Sequence, residues 1–170
     1  MLGWLTGKSE AQRTAGELYG RVVAAARQPR FYAEMRVPDT LEGRFEMVVL
    51  HLFLALEALR SASVGGDDEV SRLTIEAFIT DMDDSMRELG VGDLTVPKKV
   101  RRAAAGFYQR AGAYRAALAA PDESALERAL GKDVSGDAKP LASYVRATVA
   151  ALRGARADAI FASKAAAEPI

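Results

Sequence analysis

The sequence predicts an all-α protein, a single compact helical domain of about five to six helices spanning residues 1–170. Apolar residues recur at spacings of three and four rather than two, and alanine is abundant, as is typical of helices. Glycine and proline interrupt this pattern where helix ends are expected. With 49% hydrophobic and 27% charged residues, the composition is that of a globular protein, and the length suits one domain.

The first predicted helix runs from about Ser9 to Gln28 and turns Leu18 and Val22 towards the core. Pro29 ends it, because the residue before a proline is pushed out of the helical region. We expect an irregular segment from there to Gly43.

The second predicted helix follows Asp39 or Thr40, either of which can cap it, and runs to about residue 61. Its apolar residues cover almost the whole circumference. The hydrophilic edge that remains consists of Glu46, Glu57 and Arg60. A second apolar strip is formed by Met47, Leu50 and Leu54. The pattern predicts either the central helix of the fold or a helix whose second apolar strip faces a partner.

Turn formers set the remaining boundaries. A turn at 65–68 precedes the third predicted helix, whose buried stripe ends at Leu89. Glycines in the 90–97 segment stop that helix, and Pro97 opens the fourth. A short fifth helix is expected from Pro121 to about Gly131, and a final helix from about Leu141 to the tail. We assign no function to the C-terminal helices over 122–165.

Several classes of chemistry are excluded by composition. The chain has no cysteine and one histidine, which removes disulfides, thiolate nucleophiles and two-histidine metal sites. Neither a nucleotide-binding glycine loop nor a nucleophile elbow is present. We therefore predict a binding or assembly protein rather than an enzyme, with no catalytic residue, no metal and no cofactor.

Membrane spanning and bulk nucleic-acid binding are also disfavoured. The longest uncharged apolar run covers residues 47–56, about half of what a membrane helix needs. The 23 basic and 23 acidic residues balance, whereas domains that bind nucleic acid are usually basic, so no DNA is expected as a partner. The N-terminus does not resemble a signal or transit peptide. We expect a cytoplasmic protein, with peripheral contact at the inner face of the cytoplasmic membrane as an option.

Charge is sorted locally. Residues 67–93 carry nine acidic and two basic side chains, while 98–115 carry six basic and none acidic. The two segments either attract each other and decorate solvated faces, or form a docking surface for an acidic loop or anionic lipid headgroups. Asp81, Asp84 and Glu88 share one helix face, but no Glu-x-x-His motif accompanies them, and we interpret them as a solvated face. We interpret the lone His51 as a hydrogen-bonded core residue rather than a ligand.

Several irregular blocks resemble the ubiquinol–cytochrome c chaperone family. They are Arg27-Gln28-Pro29-Arg30-Phe31-Tyr32, Val37-Pro38-Asp39-Thr40-Leu41-Glu42-Gly43-Arg44-Phe45, Val49-Leu50-His51-Leu52-Phe53-Leu54 and the run from Asp81 to Val100. Phe107-Tyr108-Gln109-Arg110 follows where the family has a similar aromatic and arginine element, although Gln109 replaces an expected glycine. The resemblance covers about residues 15–120.

The resemblance implies an all-α chaperone that binds newly made cytochrome b or another subunit and supports assembly of the respiratory ubiquinol–cytochrome c reductase. Mitochondrial relatives work with a small partner protein and associate with the translating ribosome, so both are expected partners here. The alternatives are a generic helical adaptor, or a ribosome-contacting factor that uses the basic 98–115 helix and would weaken steeply with salt.

Residues in these blocks are the candidate partner-binding set. It comprises Phe31, Tyr32, Arg44, His51, Asp81, Asp83, Arg87, Asp93, Lys98, Lys99, Arg101, Arg102, Phe107, Tyr108 and Arg110. Arg44, Asp81, Asp83, Arg87 and Asp93 are alternatively expected to form an internal ion-pair network that holds the 90–97 loop. The two aromatic pairs are expected to be either core residues or interface anchors.

Overall fold

The computed structural model describes residues 9–62, 68–134 and 136–162, and this part of the chain is helical without strands. The helices are α1 Glu10–Ala26, α2 Pro29–Ala33, α3 Leu41–Ala62, α4 Asp68–Glu88, α5 Val96–Ala119, α6 Ser124–Asp133 and α7 Ala138–Ala151. Six of them have ten residues or more, and α2 is a single short segment. The all-α prediction is confirmed. The predicted turn at 65–68 lies almost entirely outside the described residues.

Local capping explains several boundaries. Ser9 and Gln12 form a capping box at the start of α1, each side chain bonding the other's backbone N–H. The Thr40 hydroxyl accepts the Gly43 N–H at 3.1 Å, so Thr40 caps α3 as predicted. The segment from Pro29 is helical rather than irregular at its start, because proline suits the first turn of a helix, where its missing N–H costs nothing.

The final helix is shorter than predicted. It ends at Ala151, and Gly154 adopts a positive φ of 73°, which favours glycine at a helix end. Residues 155–162 then fold back as turns that bury Ile160 and Phe161. Arg21 of α1 holds this segment by donating to the Ile160 carbonyl oxygen at 2.9 Å. The sequence pattern missed the segment because its burial depends on long-range contacts.

Helix α3 is the centre of the fold and packs against α1, α5 and α7. Its second apolar strip is fully covered: Met47, Leu50 and Leu54 are at most 1% exposed. Between the two alternatives for this helix, the structure selects the central position, and the strip is not available to a partner. Around α3, α4 packs on α1 and α5, while α6 bridges α5 and α7. Nearly all of the described buried apolar residues form one hydrophobic cluster.

Candidate functional site

Three predicted partner-binding residues are buried. Phe31 and His51 are fully buried and Phe107 is 2% exposed, so none of them can reach a partner in this structure. Phe107 packs against Phe78 in the core between α4 and α5. The expectation that these side chains contact a partner is corrected here, because each lies on the core-facing side of its helix.

His51 is a hydrogen-bonded core residue. Its Nδ1 lies 2.8 Å from the Met47 carbonyl oxygen, which can only accept, so Nδ1 carries the proton. In the neutral ring Nε2 is therefore an acceptor, and the Tyr144 hydroxyl donates to it at 2.7 Å. Phe31 and Phe161 pack against the imidazole. Burial lowers the pKa of His51 to about 4, aided by the nearby Arg30 charge and opposed by the Met47 hydrogen bond.

Tyr32 also has a structural role, since its hydroxyl donates to the Ala26 carbonyl oxygen at the end of α1 at 3.0 Å. That carbonyl belongs to a helix end, where backbone acceptors lack intrahelical partners. Burial raises the pKa of Tyr32, with the Asp39 charge acting in the same direction.

The predicted internal ion-pair network is not formed as a unit. Arg87 bonds Asp83 at 2.6 Å and also pairs with Asp93 in the following loop, which matches the expected link to the 90–97 segment. These pairs lie at the surface, where ion pairs contribute little to stability. Asp81 instead accepts from the Tyr19 hydroxyl at 2.6 Å.

Arg44 is separate from that cluster and pairs with Asp39 at 2.6 Å in the turn before α3. The Arg44 hydrogen bond lowers the pKa of Asp39. Both side chains are exposed, so the contact fixes the orientation of the turn rather than a buried network. The two residues are only five positions apart at the N-terminus of α3, so the local turn is enough to bring their charges together.

Two arginines in the second half of α5 pair with α3. Arg110 donates to Glu46 at 2.6 Å and Arg115 to Glu57 at 2.6 Å. Both glutamates are less than one-tenth exposed, so the predicted hydrophilic edge of α3 is in fact an ion-paired helix interface. Burial raises the pKa of Glu46 against the opposing effect of Arg110. Burial also raises that of Glu57, but hydrogen bonds from Arg60 and Arg115 outweigh it and the pKa falls below its usual value.

The first half of α5 behaves differently. Its four cations are exposed, and no hydrogen bond or ion pair joins their side chains to the described part of the chain. We call them the basic patch: Lys98, Lys99, Arg101 and Arg102. Tyr108, on the same helix, is 58% exposed, and Leu94, just before it, is 99% exposed. The basic helix of the sequence is therefore divided into a structural half and a free half.

Beside the basic patch lies an open groove of about 550 Å³ between α5, the end of α4 and the start of α3. We call it the α5 groove. Its floor consists of apolar and small residues, and polar or charged residues form its edge. The lining residues used below are Phe45, Met86, Ala103, Ala105, Gly106 and Arg102. Gln109, the departure from the family pattern, also lines it.

Sequence reasoning did not find this groove. Phe45 and Met86 were expected in buried stripes, and both are only partly buried because they line the open groove. Ala105 and Gly106 could not be predicted to line a groove, since small residues in a helix occur both in packed interfaces and on open surfaces. Leu89, expected to be buried, is 64% exposed because it follows the last residue of α4. In the described residues, no cluster of acidic or histidine side chains could hold a metal ion.

No described helix is long and apolar enough to cross a membrane.

Two comparisons identify relatives. The family model described as ubiquinol–cytochrome c chaperone matches residues 33–167. The match begins later than the resemblance noted at 15–120, so the Arg27–Tyr32 block lies outside it, and it extends further at the other end to include the C-terminal helices. The crystal structure of the Cbp3 homolog from Brucella abortus is similar, with 39% sequence identity and a TM-score of 0.75, covering 92% of this chain and 90% of that one. No curated protein matches significantly. A family match over most of the chain, joined to this structural similarity, shows that the protein belongs to the ubiquinol–cytochrome c chaperone family.

Proposed function

We propose that the protein is an assembly chaperone that holds newly made cytochrome b for the ubiquinol–cytochrome c reductase, and that an apolar segment of this client binds in the α5 groove. Membership of the family makes the chain a chaperone connected with that reductase, and such chaperones are in general not enzymes. The identity of the client and the role of the groove are the proposal.

The observation that carries the proposal is a groove with an apolar floor that stays open in the folded chain. Ala103 and Ala105 line it with little side-chain bulk, which allows a client helix to approach closely, whereas the Arg110 guanidinium lies over Gly106. Phe45 and Met86 supply larger apolar contacts, and methionine adapts to varied surfaces. This arrangement suits the helix-in-groove mode of recognition.

Other predicted partners stay predictions. The small partner protein, the translating ribosome and the cytoplasmic location follow from the resemblance or from composition. The exposed Tyr108 and the basic patch are available to such partners, whereas Phe31, His51 and Phe107 are not.

The proposal is tested by deleting the gene in its host and measuring haem b and ubiquinol–cytochrome c reductase activity in the membranes. Complementation then compares the unchanged gene with Ala105→Asp, which places a charge in the groove at an exposed position. Ala113→Asp is the matched control, because Ala113 is exposed on the same helix and outside the groove lining. Pulse-labelled cytochrome b that copurifies with each variant measures client binding directly.

We expect the deletion to lose haem b and reductase activity, and Ala105→Asp to restore neither while remaining folded. Ala113→Asp should restore both and retain labelled cytochrome b. Normal reductase levels in the deletion strain would remove the assembly function. Full activity and client binding with Ala105→Asp would leave the assembly function in place and show that the groove is not the binding site.

A further inference from the structure

We infer that the basic patch, together with Leu94 and Tyr108, is a docking surface for a bilayer that contains anionic lipids. These six side chains lie between residue 94, in the loop before α5, and residue 108, near the middle of that helix. The inference goes beyond client binding. Lys99 and Arg102 also line the α5 groove, but a folded chain can meet a bilayer without any client present, so the two functions are tested separately.

The charges of this surface are not used inside the protein. Arg110 and Arg115 are paired with buried glutamates of α3, but the four cations of the basic patch have no described partner. In the preceding loop and helix, Asp93 and Asp83 pair with Arg87, while Asp84 and Glu88 at the end of α4 are also exposed. The six side chains of the surface themselves carry four positive charges and no negative charge, although the whole chain is neutral. Such local charge attracts a negative bilayer and orients the protein on it.

The apolar side chains lie beside these charges. Leu94 is 99% exposed, which places a full leucine side chain in water four residues before Lys98. Tyr108 is two helical turns beyond Arg101, so the two share a stripe on α5. Tyrosine prefers the boundary between headgroups and acyl chains, and cations next to a protruding apolar residue are typical of interfacial segments.

A lipid surface fits these residues better than RNA. Domains that bind RNA are usually basic overall and offer several aromatic side chains for stacking. This chain has no net charge, and the surface contains one aromatic residue and an exposed leucine, which has no use against a phosphate backbone. The apolar residue gains free energy only where the partner has an apolar interior.

Flotation of the full-length protein with vesicles tests the inference. Vesicles of phosphatidylcholine alone are compared with vesicles of about three parts phosphatidylcholine to one part phosphatidylglycerol. We expect binding to the anionic vesicles only, weakening as salt is raised. Replacing Lys98 and Lys99 together by alanine should weaken binding about 30-fold, from the expected contribution of each cation near an anionic surface. Leu94→Ser should weaken it about tenfold.

Arg153→Ala is the control, because Arg153 is an exposed cation after α7 and outside the surface. It should bind as the unchanged protein does, and all variants should keep the same melting temperature because each replaced side chain is exposed. Failure to float with anionic vesicles, or equal flotation of all variants, would overturn the inference. The inference would also be overturned if replacing Lys98 and Lys99 abolished binding to RNA and left binding to vesicles unchanged.

Discussion

Acid should destabilise this protein through His51. The imidazole is fully buried, and its two nitrogens are hydrogen bonded to the Met47 carbonyl oxygen and the Tyr144 hydroxyl. Burial is the main reason that its pKa falls from 6.5 to about 4 in the folded protein. In the folded protein the imidazole therefore stays neutral down to about pH 4.

The sign and size of the effect follow from linkage. Between pH 6.5 and about 4 the unfolded chain binds a proton at His51 while the folded chain does not, so the free energy of unfolding decreases as the pH falls through this window. At pH 4.5 the loss is on the order of 2–3 kcal/mol, since each pKa unit corresponds to about 1.4 kcal/mol. That is a large part of the roughly 5–15 kcal/mol that stabilises a typical domain.

His51→Gln isolates this contribution. Glutamine does not titrate, and its amide oxygen can accept from the Tyr144 hydroxyl. The variant should be less stable than the unchanged protein at pH 7, and the difference should shrink by roughly 2–3 kcal/mol at pH 4.5. Urea unfolding followed by far-ultraviolet circular dichroism across this range measures it, and titration of carboxylates cancels because both proteins share them. A difference that stays constant with pH would refute a neutral, buried His51.

Three further predictions concern packing and charge. Arg110→Ala should lower the free energy of unfolding by about 2 kcal/mol, because it leaves the buried Glu46 carboxylate unpaired. Adding Glu46→Gln should recover much of this loss, which a double-mutant cycle of denaturant unfolding measures. Gly43→Ala should lower the free energy of unfolding by roughly 2 kcal/mol or more, since a Cβ there would lie 1.9 Å from the Pro38 carbonyl oxygen. Gly16→Ala is the control and should raise the free energy of unfolding by about 0.5–1 kcal/mol, because a Cβ there meets open space. Equal effects of the two variants in thermal melts would contradict this reasoning. Arg87→Ala should leave the melting temperature nearly unchanged while hydrogen exchange in the 90–95 loop becomes faster, and a large drop in melting temperature would show that the network is buried after all.

The candidate site could be predicted only in part. The basic residues of 98–115 were identified as a group, but the pattern could not show that Arg110 and Arg115 pair with α3 while Lys98 and Lys99 have no ion-pair partner among the described residues. That division depends on how α5 crosses α3, which places only the second half of α5 beside Glu46 and Glu57. The groove was missed for a similar reason, since its floor combines residues from three helices.

The sequence by itself determined the helical class and the family and limited the α3 cap to Asp39 or Thr40, because helix periodicity and capping act within a few residues and the irregular blocks are continuous in the chain. It left open whether α3 was central or shared a face with a partner. Only the tertiary structure decided that question, and with it the burial of Phe31 and His51, because burial is set by neighbours that are distant in sequence. The same long-range packing leaves Leu94 in water at the start of α5.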